Sequence, residues 1–171
     1  MNIYKATIED IEMVAELARV TFWDAFHDHP KNAPHDTDAY MAAAFSIERI
    51  TGQLSDPGNI FLIAEIDNEP AGYARLVRDS TEHGITAEKP IELNRLYSHQ
   101  KFLGKGVGAA LLEKCFEIGR ENGHDVLWLG VWEYNPRAQA FYTKYGFQFV
   151  GQHVFQFGSD PQTDLLMQKE I

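Results

Sequence analysis

The chain has 171 residues, 25 acidic against 15 basic for a net charge of −10, and a single cysteine. That length suits one domain spanning residues 1–171 that buries a core without staples, and a lone cysteine excludes an internal disulfide. The acidity disfavours nonspecific attraction to nucleic acid or an anionic membrane and is compatible with a cationic substrate. The opening MNIYKATIED lacks the basic and apolar regions of a secretion signal. No apolar run approaches the roughly 18 residues of a membrane span, so a soluble cytoplasmic protein is expected.

Thr7 followed by Asp10 reads as a helix start, and Ile8, Ile11, Val14, Ala15, Ala18 and Phe22 recur at helical spacing, predicting a helix over 8–26. HDHPKNAPHD (His27 to Asp36) carries two prolines and reads as a loop. DTDAYMAAAF and SIERITGQL then give two short helices, the second capped by Ser46. IFLIAEI (Ile60 to Ile66) and AGYARLVRD (Ala71 to Asp79) flank the turn-forming DNEP and predict an antiparallel hairpin.

A polar loop from Ser80 to Pro90 leads to the strand IELNRLYS, a glycine loop, a helix over 106–122 and the strand DVLWLGVW. The spacing of Cys115 from Leu111, Leu112 and Ile118 puts its thiol on that helix's apolar face. Asn135-Pro136 opens a further helix that ends near Gly146, and FQFVGQHVFQF and TDLLMQKEI alternate as a final strand pair. The order predicts an α+β (mixed α/β) architecture around one central mixed sheet, without internal repeats.

Gly104, Gly106 and Gly108 lead straight into a helix, which exposes unpaired N–H groups and the positive end of its dipole, a seat for a phosphate or pyrophosphate. Steric need at a strand-to-helix turn explains the same glycines. A P-loop requires a lysine and a hydroxyl residue after its last glycine, whereas Ala109 and Ala110 follow Gly108. A dinucleotide fingerprint requires a third glycine three positions after the second, and here it comes after two.

LGKGVG (Leu103 to Gly108) together with NPRAQAFYTKYGF (Asn135 to Phe147) resembles the Gcn5-related N-acetyltransferase (GNAT) superfamily. Its members carry a (Gln/Arg)-x-x-Gly-x-(Gly/Ala) loop and a later Asn-x-x-Ala-x-x-Phe-Tyr-x-Lys-x-Gly-Phe segment. TFWDAF, IELNRLY, WLGVWEYN and QTDLLM extend the likeness over nearly the whole chain, toward the PaiA-type polyamine N-acetyltransferases. The resemblance implies a twisted mixed sheet of six to seven strands flanked by helices. In that fold IELNRLYS and DVLWLGVW splay apart around the pantetheine arm of acetyl-CoA.

It further implies that Leu96, Tyr97 and Ser98 pair with that arm, and that the loop Leu103, Gly104, Lys105, Gly106, Val107 and Gly108 holds the pyrophosphate. Leu103 stands where the family has Gln or Arg, so the backbone must serve there. Asn135 matches a pantetheine-binding asparagine and is an equally good helix cap; Lys144 falls on the motif's lysine. Tyr142 matches the tyrosine that protonates the departing thiolate, and the aromatic crowd of Phe141, Tyr145 and Phe147 leaves a structural role open.

An attacking amine with a pKa of about 10.4 costs about 4.6 kcal/mol to hold neutral at pH 7, so a base is useful. Glu92 matches the family's catalytic glutamate, acting directly or through water. Some polyamine enzymes use an acid two residues later, where this chain has Asn94. Strand alternation puts Glu92 and Asn94 on one face and Ile91, Leu93, Arg95 and Tyr97 on the other.

Trp23, Phe26, Tyr40 and Phe45 suit an acceptor pocket or simply the core. His27, His29, His35, Asp28 and Asp36 lack a spacing that would converge metal ligands, so no metal is expected. The implied activity is acetyl transfer from acetyl-CoA to a primary amine, spermidine or spermine first, with no covalent enzyme intermediate. Acetylation of a protein N-terminus or lysine, and a CoA-binding regulatory module without turnover, stay open. A homodimer is expected by analogy, with no residue pattern marking its interface.

Overall fold

A computed structural model describes residues 1–171. The elements run β1 Asn2–Lys5, a 3-10 turn Ile8–Asp10, α1 Ile11–Phe26, α2 Pro34–Ala44, α3 Ile47–Ser55, β2 Asn59–Ile66, β3 Glu69–Arg78 and β4 Pro90–Ser98. A second 3-10 turn, Gln100–Phe102, precedes α4 Val107–Glu121, β5 Val126–Trp132, α5 Pro136–Lys144, β6 Gln148–Phe157 and β7 Asp160–Glu170. The seven strands form one mixed sheet in the order β1-β2-β3-β4-β5-β7-β6, the α+β architecture expected from the pattern.

Most local signals act as their chemistry predicts. Thr7 and Asp10 form a reciprocal capping box, with Thr7 N–H donating to Asp10 Oδ2 at 2.7 Å, although the first turn it caps is 3-10 and α1 proper starts at Ile11. Ser46 accepts from Arg49 N–H at 3.1 Å and starts α3. Asp67 and Asn68 turn the β2–β3 hairpin with φ of 53° and 62°, a left-handed pair whose twist matches the flanking strands.

Two boundaries depart from the sequence reading. NIYK forms β1, pairing Asn2 with Glu65 through Lys5 with Leu62; a four-residue segment carries too little alternation to announce itself. The expected loop over 27–36 is shortened because Pro34, needing no N–H partner in a first turn, begins α2.

The residues of β2 alternate between two cores. Ile60, Leu62 and Ala64 join a cluster of 20 buried residues under α4 and α5 that also holds Cys115, whose thiol burial pushes well above its ordinary pKa. Phe61 and Ile63 join a cluster of 12 under α1 and α3.

Asp36, buried in α2, ties that layer to the β6–β7 turn. It accepts from the Ser159 N–H at 2.6 Å and the Ser159 hydroxyl at 2.8 Å, and these donors hold its carboxyl below the usual range. A depressed folded pKa gives stability that is present above the unfolded value of about 3.9 and is lost as pH falls through the folded one. Asp36→Asn is therefore expected to lower the melting temperature at pH 7 and to flatten its decline on acidification, read by circular dichroism melts between pH 3 and 7.

Candidate active site

The sheet parts between its central strands. β4 and β5 run parallel and pair only at Pro90 with Val126, Ile91 with Leu127 and Glu92 with Trp128. Beyond that seam β5 continues beside β7 alone, and the outer edge of β4 from Leu93 to Ser98 has no partner strand. A row of backbone N–H and C=O groups is left free to pair with an extended ligand.

A bulge reshapes this edge. Leu76 pairs with Leu93 and Arg75 with Arg95, leaving Asn94 as the extra residue. One inserted residue exchanges the faces of everything after it. This corrects the simple alternation: Leu96 joins Ile91 and Leu93 beneath α4, while Arg95 and Tyr97 turn to the side of Glu92, toward α1 and α3.

On the α4–α5 side lies a cleft of about 660 Å³ lined by Leu96, Tyr97, Ser98, Leu103, Gly104, Gly106, Val107, Gly108, Asn135 and Tyr142, together with Phe141, read from sequence only as a structural aromatic, and Phe102 and Arg137, which the sequence reading did not single out. Gly104 and Gly106 take φ of 78° and 81°, a region open to glycine at little cost. With the chain so turned, the amides of Gly104, Gly106, Val107, Gly108 and Ala109 donate to no acceptor in the protein. They converge at the start of α4, where the helix dipole adds positive potential.

Leu103 is 45% exposed and offers only backbone. Lys105 and Lys144 do not line the cleft, and the Lys105 ammonium lies 5.1 Å over the Phe102 ring.

Asn135 caps α5 and also lines the cleft. Its Oδ1 accepts from Ala138 N–H at 3.1 Å, capping α5, and its amide NH₂ donates to nothing else in the chain. Tyr142 is 8% exposed, with its ring against Phe141 and Phe147 at 5.3 and 5.6 Å. Its hydroxyl has no hydrogen-bond partner in the chain and reaches the cleft. Burial pushes its pKa well above that of an ordinary phenol, so it holds its proton at neutral pH.

A second cavity of about 210 Å³ occupies the α1–α2 side, and Phe26 and Tyr97 line both spaces. Glu92 stands here, outside the first cleft, with Oε2 accepting from Ser80 Oγ and Oε1 from Asn94 Nδ2, both at 2.7 Å. Asn94 Oδ1 in turn accepts from Arg75 at 2.8 Å. Arg95 is 8% exposed, donates to Gln53 at 3.3 Å and lies 4.8 Å over Phe45.

Of the aromatics proposed for an acceptor pocket, Phe26, Tyr40 and Phe45 line this cavity. Trp23 is exposed and stacks on His27. His153 and Asp164 also line the cavity and were missed by the sequence reading. Register brings them in, with Asp164 beside Trp132 of β5 on one side and His153 of β6 on the other. The available signal was an acid standing directly before the apolar run Leu165 to Met167 of the last strand.

The histidine-rich loop disperses: His27 bonds Asp28, His29 packs on Trp132 and Asp36 turns to Ser159.

A parted mixed sheet with an amide-lined turn at one end of the gap and a buried tyrosine along it defines an acyl-CoA-using transferase. The Acetyltransferase (GNAT) family model matches residues 17–147, and the chain belongs to that family. It is 33% identical over 171 residues to an uncharacterized N-acetyltransferase in the pepI 3′ region of Lactobacillus delbrueckii subsp. lactis, covering 100% of this chain and 98% of that one. An uncharacterized N-acetyltransferase of Mycobacterium tuberculosis is 33% identical over 142 residues, 83% of this chain and 86% of its own. Among solved structures, the PaiA N-acetyltransferase of Thermoplasma acidophilum in complex with coenzyme A superposes with a TM-score of 0.78 at 25% identity, covering 99% of this chain and 98% of that one.

The protein is accordingly an acetyl-CoA-dependent acyltransferase. The free amides and the open β4 edge fit that co-substrate, one supplying donors for a pyrophosphate and the other a strand partner for an amide-bearing arm. No helix is long and apolar enough to cross a membrane.

Proposed function

We propose that this chain, acting as one catalytic domain in the cytoplasm, acetylates a primary amine of a small molecule, with polyamines such as spermidine and spermine as the first acceptor class. The observation that carries this reading is the pair of cavities that meet at Phe26 and Tyr97. One is lined by free backbone donors; the other is aromatic and holds Glu92 and Asp164. The likeness to a PaiA N-acetyltransferase and the net charge of −10 support a cationic acceptor.

Acetyl-CoA supplies the acetyl group as an activated thioester. Gly104, Gly106, Val107, Gly108 and Ala109 bind through their amides, the edge from Leu96 to Ser98 orients by strand-like pairing, and the Asn135 NH₂ adds a donor from the other wall. Glu92, directly or through a water, takes the proton that the acceptor ammonium must lose. Attack by the freed amine then needs no covalent enzyme intermediate. Tyr142 gives its Oη proton to the leaving thiolate, which raises the rate because a thiol pKa of about 8.5 makes the unassisted thiolate a fair but not free leaving group.

The test is release of CoA, followed with a thiol-reactive dye, over polyamines, amino acids, aminoglycosides and short peptides. The one protein thiol, Cys115, is fully buried and stays silent in that assay. Turnover centred on polyamines is the expected result. Turnover with peptides alone would move the acceptor to a protein N-terminus or lysine, and CoA binding without turnover would leave a regulatory module.

A further inference from the structure

The second cavity contains a carboxylate, Asp164, to which the steps of acetyl transfer give no role. Asp164 accepts no hydrogen bond within the chain, and its only basic neighbour within 4 Å is His153, with Nε2 at 3.9 Å from Oδ2. The other face of that imidazole is engaged, since Nδ1 lies 3.0 Å from Glu82 Oε2. Glu92 differs: both of its oxygens accept hydrogen bonds, and Asn94 links it to Arg75. Arg95 is committed elsewhere, bonded to Gln53 of α3 and stacked over Phe45.

A largely buried carboxylate whose one nearby donor, His153 Nε2, stands as far as 3.9 Å is costly unless a cation comes to it. Burial accordingly raises the Asp164 pKa. The surrounding walls suit a cation, because Tyr40, Trp128 and Trp132 present aromatic rings to the same space. Room for one has been left at Gly130, where an added Cβ would sit 3.2 Å from Asp164 Oδ2 and 3.4 Å from His153 Nε2.

The two carboxylates are separated along the gap. Glu92 pairs with Trp128 at the closed end of the seam, while the Asp164 carboxylate lies over Gly130, two residues further along β5. A rise of about 3.3 Å per residue and a strand spacing of about 4.8 Å put the backbones of Glu92 and Gly130 about 8 Å apart. An arm held by the free amides of Gly104 and of Gly106 to Ala109 and laid along the free edge of β4 points back toward the closed end, so the reacting amine belongs beside Glu92. Asp164 is left for something else.

We propose that Asp164, oriented by His153 and Glu82, seats a second ammonium group of the acceptor and thereby selects di- and polyamines over monoamines. This rests on the acetyl-transfer reading for the position of the reacting amine. Asp164 is a specificity residue here, and His153 a positioning residue.

The test compares spermidine, butane-1,4-diamine and butylamine as acceptors for the wild type, Asp164→Asn and Gly130→Ala. Binding is read separately from tryptophan fluorescence in a Trp23→Phe background, which leaves Trp128 and Trp132 as the only indoles, and folding from thermal melts. The expected result is a spermidine-over-butylamine preference in kcat/KM that Asp164→Asn reduces about tenfold or more, mainly through KM. Gly130→Ala, which keeps the charge but crowds it, moves the preference the same way.

An unchanged preference in Asp164→Asn overturns the proposal, and so does an equal loss of kcat for all three amines, which would place Asp164 at the reacting amine. If no amine turns over, yet spermidine quenches the Trp23→Phe background and not Asp164→Asn within it, the seat stands and the transferase reading falls. Absence of both turnover and quenching sinks both.

Discussion

Tyr142→Phe is expected to lower kcat about a hundredfold or more while leaving acetyl-CoA affinity within about threefold and the melting temperature nearly unchanged. The separation of effects follows from what the substitution removes. The ring keeps its contacts with Phe141 and Phe147, and the lost hydroxyl has no partner in the chain to leave unsatisfied. Only a role for the proton of Oη makes such a silent group expensive to lose. Because burial raises its pKa, the wild-type phenol stays protonated throughout the usual assay range, and the pH profile of kcat should carry no basic limb from Tyr142. Steady-state kinetics with spermidine, calorimetric titration of CoA and a melt read the three quantities. An unchanged kcat would mean that solvent protonates the thiolate.

Gly72→Ala is the larger structural perturbation, expected to cost about 1–3 kcal/mol and weaken acetyl-CoA binding with it. Gly72 lies in β3 opposite Ser98, and an added Cβ would stand 2.6 Å from the Tyr97 carbonyl oxygen and 2.7 Å from Val107 Cγ1. The first is backbone and the second is the start of α4, so neither yields by rotating a distant side-chain end. Both line the cleft proposed to take acetyl-CoA. At about 2–4 °C per kcal/mol for a chain of this size, the melting temperature should fall by several degrees. Gly52→Ala is the matched control. Gly52 sits in α3 with nothing within 4 Å of an added Cβ, so the same methyl should stabilise by up to about 1 kcal/mol through helix propensity.

Where the fold was legible, a local chemical reason had one outcome. Thr7 with Asp10, Ser46, Asp67-Asn68 and Asn135-Pro136 each satisfy backbone groups within a few residues, and each marks its boundary in the structure. The glycine loop was legible for the same reason, since unpaired amides before a helix follow from helix geometry alone. Asn94 was not. Nothing in IELNRLYS announces an inserted residue, because the bulge exists only relative to β3, and strict alternation therefore assigned Arg95 and Tyr97 to the wrong face. His153 and Asp164 were hidden by distance: they join Glu92 only when the last two strands pair beside β5. Local grammar gives elements and one wall of the site; the opposite wall needs long-range register.

The three-pair seam between β4 and β5 has a bearing on traffic through the molecule. A sheet parted for most of one strand interval is pierced rather than walled, and its two sides open onto different spaces that touch at Phe26 and Tyr97. With acetyl-CoA in the first space and the amine in the second, as proposed, each reactant has its own doorway, neither has to leave before the other enters, and their order of arrival is left free.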